Sequence, residues 1–256
     1  MSDASPFSLA DRSVLITGAS SGIGKALAVL ASGMGALCVL SGRDQARLEE
    51  TRSLLQGCGH VTVPGDVTPG FQDEQWDRIV GAAGPLWGFV HCAGIEKTLP
   101  FRSSGLDDLH GISAVNVDAF WNLVQGLLRR GRHVPGELSV VAVSSAAGLH
   151  GAAGKTAYAA SKGALLSLVR SLAAEYAPKR IRFNCLCPGY VETPMLQSLK
   201  ALYGDPEQFR RAISDRHPLG LGKPEDVAAA AVFLLSGASK WVTGTALEVD
   251  GGYAVR

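Results

Sequence analysis

The stretch Thr17-Gly18-Ala19-Ser20-Ser21-Gly22-Ile23-Gly24 constrains this chain more than any other. The apolar run Val14-Leu15-Ile16 leads into it, and a helix-like run from Ile23 to Ser32 leads out. Three glycines at this spacing let a backbone turn sharply and approach a bulky anion closely. The helix that follows would aim unpaired N–H groups and its positive dipole end at that anion. The implied ligand is the pyrophosphate of a dinucleotide, contacted by Gly18, Ser20, Ser21, Gly22, Ile23 and Gly24. A strand-to-helix turn with no ligand could use the same residues, so the turn needs support from elsewhere in the chain.

Length supports it first. The chain has 256 residues, 46% of them hydrophobic, enough for a sizeable core in one domain spanning 1–256. Lys and Arg number 24 against 23 Asp and Glu, a balance that gives no reason to expect a nucleic-acid partner. Met1 to Ser13 does not read as a signal peptide, and no run of ~18 apolar residues predicts a membrane span. The expected location is the cytoplasm. Cys38, Cys58, Cys92, Cys185 and Cys187 lack the paired spacing of a metal site, so no metal is expected and the thiols are read as buried and reduced.

Strands and helices alternate throughout. Strands are expected at Ser13 to Thr17, Ala36 to Ser41, His60 to Val63, Leu86 to His91, Glu137 to Ser144, Ile181 to Cys187 and Thr245 to Val249. Helices are expected between them, among them one from Leu106 to Arg130 bent near Gly111, and a long one from Thr156 to Ala177. This rhythm predicts an α/β fold, a single doubly wound domain with a seven-stranded parallel sheet and helices on both faces. Its ligand crevice would lie at the carboxyl ends of the strands.

The second strand bears on the nucleotide. In this fold a carboxylate at its end holds the free ribose hydroxyl of NAD and repels the 2′-phosphate of NADP. Here the strand ends Leu40-Ser41-Gly42-Arg43, with a guanidinium suited to phosphate and no carboxylate at Ser41 or Gly42. The expected cofactor is NADP(H). Asp44 counts against this unless it merely opens the next helix, where Asp is favoured. Asp66-Val67 after the third strand could meet the adenine edge or could be a turn.

Three features converge on chemistry. Ser144-Ser145 ends the fifth strand and places a hydroxyl at the crevice. Tyr158 and Lys162 stand one helical turn apart and share a face. Asn116 lies in a helical segment after the fourth strand. A free phenol has a pKa of about 10, and using it near neutral pH asks for a lowering worth about 4 kcal/mol. A nearby ammonium and an oxidised nicotinamide both act in that direction. Tyr158 could then exchange a proton with a substrate oxygen held by Ser145 while a hydride moves at the adjoining carbon. Outside the context of the glycine turn, Tyr-x-x-x-Lys would more often be an ordinary surface pair.

With these pieces in place, the chain resembles the short-chain dehydrogenase/reductase family from Ser8 to Tyr253. Its carriers are the glycine turn, Asp66-Val67, Ala93-Gly94, Asn116, Ser144-Ser145, Tyr158-Ala159-Ala160-Ser161-Lys162, Pro188-Gly189, Thr243-Gly244 and Val249-Asp250-Gly251-Gly252. The resemblance implies that Ser145, thirteen residues before Tyr158, is the catalytic serine. It implies that Tyr158 is the acid/base, that Lys162 tunes it and binds the nicotinamide ribose, and that Asn116 holds a water in a proton relay. It also implies that Val191 and Thr193 contact the nicotinamide carboxamide. The family usually has Asn-Asn-Ala-Gly where this chain has His91-Cys92-Ala93-Gly94, so the tie across the central sheet is expected to differ. Cys92, Ala93, Gly94, Pro188 and Gly189 complete the expected cofactor contacts.

The expected substrate is a small ketone, including a 3-oxoacyl group, reduced to a secondary alcohol. A sugar, polyol or steroid alcohol is the alternative, and a non-catalytic dinucleotide sensor is the rival from another class. A sensor would not require Asn116, Ser145, Tyr158 and Lys162 together. The segment 190–218 is expected to form a substrate lid whose apolar residues line a pocket or pack the lid to the body. His150, with Leu149, is expected at the substrate. The resemblance implies a homotetramer, or a homodimer, pairing the helices at 116–130 and 156–177.

Overall fold

The computed structural model describes residues 5–255; Met1 to Ala4 and Arg256, which the expected 1–256 domain includes, lie outside the described residues. Seven strands form among them: β1 (Ser13–Thr17), β2 (Leu37–Gly42), β3 (Val61–Pro64), β4 (Gly88–His91), β5 (Ser139–Val143), β6 (Arg182–Pro188) and β7 (Ala246–Val249). All pair in parallel, in the order β3-β2-β1-β4-β5-β6-β7. Every residue of β1, β4 and β5 is buried. A parallel strand covered on both faces alternates between two cores instead of between core and water. Accordingly Leu15, Phe89, Val140 and Phe183 enter one core, while Val14, Ile16, Val90 and Leu186 enter the other.

The helices that cover these faces are α1 (Gly22–Gly33), α2 (Gln45–Ser53), α3 (Asp73–Ala83), α4 (Leu106–Ser113), α5 (Ala119–Leu127), α6 (Ala146–His150), α7 (Thr156–Tyr176), α8 (Pro194–Tyr203), α9 (Pro206–Ala212) and α10 (Pro224–Leu235). Trp76 of α3, Phe120 and Leu123 of α5 and Leu165 of α7 seal the first core. On the second, α1 packs against α10. Ala28 and Ala31 face Ala228 and Ala231 within this core, and small side chains let two helix backbones draw close. Because β1 pairs β2 on one side and β4 on the other, the winding reverses there and a crevice opens at the ends of β1 and β4.

Some expectations need correcting. Gly111 does not bend its helix: α4 runs through it, and a Cβ there would meet only open space. A lone helical glycine costs only about 1 kcal/mol, so the helix tolerates it. The distortion comes later, where Ala114–Asp118 is π-helical around the buried Asn116. The α6 turn carries no periodic signal, because Ser145 caps it with only five residues to follow. Leu86 forms an isolated bridge with His133 and lies outside β4. Cys58 is exposed, unlike the buried Cys38, Cys185 and Cys187, because it lies outside the strands in the segment leading to β3.

Segment 190–218 folds as α8 and α9 with its own small core of Leu196, Leu199, Phe209 and Ile213. Both expected uses of its apolar residues occur. Met195, Leu196 and Leu199 line a pocket, whereas Phe209 packs edge-on against Tyr203 within the segment. Arg210 and Arg211 pair with Glu207 on the surface.

Candidate active site

The glycine turn joins β1 to α1. Gly18 and Gly22 take positive φ, +66° and +51°, and a Cβ on Gly18 would stand 2.8 Å from the Ala93 amide nitrogen. A Cβ on Gly24 would collide with the Gly18 carbonyl oxygen. Ser21 is the N-cap of α1, yet its side chain makes no capping bond and no acid occupies the first turn. The N–H groups and positive end of this helix are therefore left for an outside acceptor. Gly18, Ser20, Ser21, Gly22, Ile23, Gly24, Arg43, Asp66, Val67, Cys92, Ala93, Gly94 and Thr193 line one groove. An uncapped helix end above a cradle that any Cβ would fill fits a dinucleotide.

Arg43 is exposed at the groove, and its charge helps hold the Asp66 carboxyl below its usual range, after two hydrogen bonds from Thr68. Asp44 takes the competing role weighed in the sequence: it caps α2 by accepting from Arg47 N at 3.1 Å. It opens the helix and is not among the residues lining the groove.

The groove continues into a second pocket, sharing Ile23, Cys92, Gly94 and Thr193 with it. Ser145, Tyr158, Lys162, Pro188, Gly189 and Val191 line this pocket together. Ser145 Oγ accepts from Ala147 N at 3.1 Å, and its hydroxyl bonds the Tyr158 hydroxyl. Lys162 is 4% exposed; its Nζ donates to the Val143 carbonyl at 2.8 Å and lies 5.7 Å from the Tyr158 ring centre. Burial pushes the Lys162 ammonium down to about 8. Gly94 makes room for it: a Cβ there would be 3.3 Å from Nζ.

Lys162 and an oxidised nicotinamide are together expected to lower the Tyr158 phenol; in the protein without cofactor, burial pushes the phenol up. The Ser145 hydrogen bond opposes this, and the Glu96 charge adds to it. Desolvating a phenolate outweighs what the surrounding side chains return.

Asn116 is also more committed than expected. Its Oδ1 accepts from Ile95 N at 2.9 Å, and its Nδ2 donates to Ile95 O at 3.1 Å and to Ser161 Oγ at 3.0 Å. The side chain thus ties the loop after β4 to α7. His91 takes part in the tie between β1 and β4. His91 Nδ1 meets Thr17 Oγ1 at 3.0 Å, and Thr17 Oγ1 also accepts from Ala93 N at 3.3 Å. Burial, helped by the Lys162 charge, pushes His91 down to about 3, so the ring is neutral. Burial likewise raises the Cys92 thiol to about 12.

His150, expected at the substrate, does not line the pocket. It sits exposed at the end of α6, its Nε2 2.7 Å from Glu248 Oε2. Leu149 packs against the first core instead. The α6 turn, absent from the sequence reading, carries both residues away from Ser145. Arg129 and Arg132 both pair with Asp73, far from this pocket in the fold.

Two charged residues of the pocket, Lys155 and Glu96, carry no motif in the sequence. Lys155 is 5% exposed and donates to Glu96 Oε1 at 2.6 Å. Lys155 is the N-cap of α7, three residues before Tyr158. Glu96 is brought across by the loop after β4.

Among the described residues no cluster of three or more metal-type ligands occurs, and no helix is long and apolar enough to cross a membrane. A family model described as enoyl-(acyl carrier protein) reductase matches residues 18–254. The 3-oxoacyl-[acyl-carrier-protein] reductase FabG of Thermotoga maritima is 33% identical, covering 94% of this chain and 97% of its own. A short-chain dehydrogenase/reductase, glucose/ribitol dehydrogenase from Brucella melitensis, superposes with TM-score 0.84 at 31% identity, covering 95% of this chain and 97% of that one. A candidate 2-deoxy-D-gluconate 3-dehydrogenase from Agrobacterium tumefaciens with bound NADP has TM-score 0.84 at 31% identity, covering 98% and 99% of the two chains.

Proposed function

The chain belongs to the short-chain dehydrogenase/reductase family of oxidoreductases that interconvert alcohols and carbonyls with a nicotinamide dinucleotide, and from that premise we propose that it is an NADP(H)-dependent ketone reductase using Tyr158 as its acid/base. One observation carries the reading. Ser145, Tyr158 and Lys162 line a single pocket that opens directly into the glycine groove.

When bound, the dinucleotide supplies the hydride and, once oxidised, a positive ring beside the phenol. The chain does the rest. Gly18, Ser20, Ser21, Gly22, Ile23 and Gly24 hold the pyrophosphate with backbone N–H groups. Arg43 takes the 2′-phosphate, and Asp66 and Val67 meet the adenine. Pro188, Gly189, Val191 and Thr193 hold the carboxamide end, with Cys92, Ala93 and Gly94 forming the floor. Ser145 donates a hydrogen bond to the carbonyl oxygen, and Tyr158 gives that oxygen its proton. Lys162 holds the nicotinamide ribose and returns a proton to Tyr158. Asn116 serves the relay through its π-helical backbone, because its amide is already committed to Ile95 and Ser161. The protein alone holds the phenol high, so a bound oxidised cofactor would have to supply positive charge beyond that of Lys162.

NADP(H) is favoured by Arg43 and by the absence of a carboxylate at the end of β2; the Agrobacterium relative holds NADP. We place segment 190–218 as the lid, and the chain in a homotetramer through α5 and α7, where Trp121 is 52% exposed. Five free thiols fit a reducing compartment, the cytoplasm.

NADPH oxidation with a panel of ketones, including a 3-oxoacyl thioester, tests the reading. Turnover that Tyr158→Phe abolishes is expected. Cofactor binding without turnover on the whole panel would instead identify a sensor.

A further inference from the structure

The polar end of the pocket bears on the substrate, granted the proton-transfer reading of Tyr158. Lys155 is buried and Glu96 partly buried, their ion-paired side chains 6% and 13% exposed, beside a wall that is otherwise largely apolar. Burying two opposite charges costs desolvation that apolar side chains of similar volume would avoid. A wall that only closed the pocket would not need them.

The pair is held firmly. Lys155 Nζ donates to Glu96 Oε1, and Thr98 Oγ1 donates to the same oxygen at 3.0 Å. Nζ lies 4.9 Å from the centre of the Tyr190 ring and 5.9 Å from that of Tyr158. Leu99 N donates to Gly154 O at 2.8 Å, so the loops carrying Glu96 and Lys155 are joined along their backbones. Glu96 and Lys155 line the same pocket as Ser145 and Tyr158, which puts the pair within reach of a substrate held there.

Chemistry then sorts the substrates. The pair is neutral as a whole. A carboxylate drawn to Lys155 must displace Glu96 or stand against it, leaving a buried negative charge uncompensated. A purely apolar neighbour covers an ammonium and a carboxylate without bonding either. A hydroxyl accepts from Lys155 and donates to Glu96 at once. We propose that the Glu96–Lys155 pair selects uncharged substrates carrying a second hydroxyl beside the reacting carbon, a vicinal diol or hydroxyketone, and rejects carboxylates.

Oxidation of three probes with NADP⁺ tests it: cyclohexanol, cyclohexane-1,2-diol and 2-hydroxycyclohexanecarboxylate. The wild type should favour the diol over cyclohexanol in kcat/KM by about tenfold or more, the worth of one hydrogen bond to a charged group, with the acid last. Glu96→Gln keeps the shape but leaves a net positive site, and should raise the acid relative to the diol by about tenfold. Lys155→Gln should lower the diol by about tenfold and reject the acid further. Opposite shifts in two variants of one contact do not arise from loosened packing. Unchanged ratios in both variants, or a wild type that prefers the acid, would overturn the proposal. Calorimetric binding of diol and acid to Tyr158→Phe with NADP⁺ separates the two readings. Diol preference there without wild-type turnover removes the acid/base role and keeps the pair. Absence of diol binding or preference removes the pair.

Discussion

The groove under α1 and the pocket beside α7 share a wall but are built differently. The groove is made of backbone: glycines at φ +66° and +51°, an uncapped helix end, and few side chains that must point anywhere. The pocket is made of side chains that act on one another, the buried Lys162, Tyr158 and Lys155 and the partly buried Glu96. A backbone site fails when space is taken from it. A side-chain site fails when a proton or a charge is moved.

Four measurements would break or sharpen this contrast. The largest effect belongs to Gly24→Val, whose side chain has nowhere to go beside the Gly18 carbonyl. Cofactor binding should be lost outright by calorimetry, with a lower Tm. Retained binding would mean the turn is looser than drawn. Next, Tyr158→Phe should cut kcat about a thousandfold while NADPH affinity stays the same, since a phenol proton is lost and no groove contact is. Weakened NADPH binding of similar size would blur the line between the two sites.

The third effect is on stability. Lys162 loses its proton near about 8 when folded and near 10.5 when unfolded. Between those values the unfolded chain binds one proton more, so stability rises with pH through that window. Lys162→Met should therefore be more stable than wild type at pH 7, by on the order of 3 kcal/mol before the lost bond to Val143 is deducted. That advantage should shrink from pH 8 to 10.5 in denaturant titrations, while activity is lost throughout. A constant difference would show that the amine is not desolvated. The smallest effect is Arg43→Ala, expected to raise KM for NADPH about tenfold and leave NADH unchanged. A strong NAD preference, unmoved by this substitution, would reassign the cofactor.

The same contrast explains what could be read from the sequence. The turn, the alternation of strands and helices, and the one-turn spacing of Tyr158 and Lys162 are local, and the structure places them as expected. So is the α2 cap by Asp44. Glu96 meeting Lys155 depends on how the loop after β4 crosses α7, which no spacing records. The α6 turn swung His150 out to Glu248 for the same reason: five residues carry too little periodicity to announce a helix. The upward Tyr158 shift in the protein without cofactor is not legible in the spacing, because burial is a property of everything around the ring, not of the lysine one turn away.

His91 has a consequence of its own. It is sealed between Phe89 and Phe120 at the midline of the sheet, neutral, with Thr17 as its partner. Released from the fold, the same ring takes up a proton near its ordinary 6.5, whereas inside it resists until about 3. Each step of acidification between those limits therefore rewards unfolding. The sheet carries its own acid limit at its centre, out of reach of surface charge or salt, and mildly acidic storage or crystallisation would strain this protein from the inside.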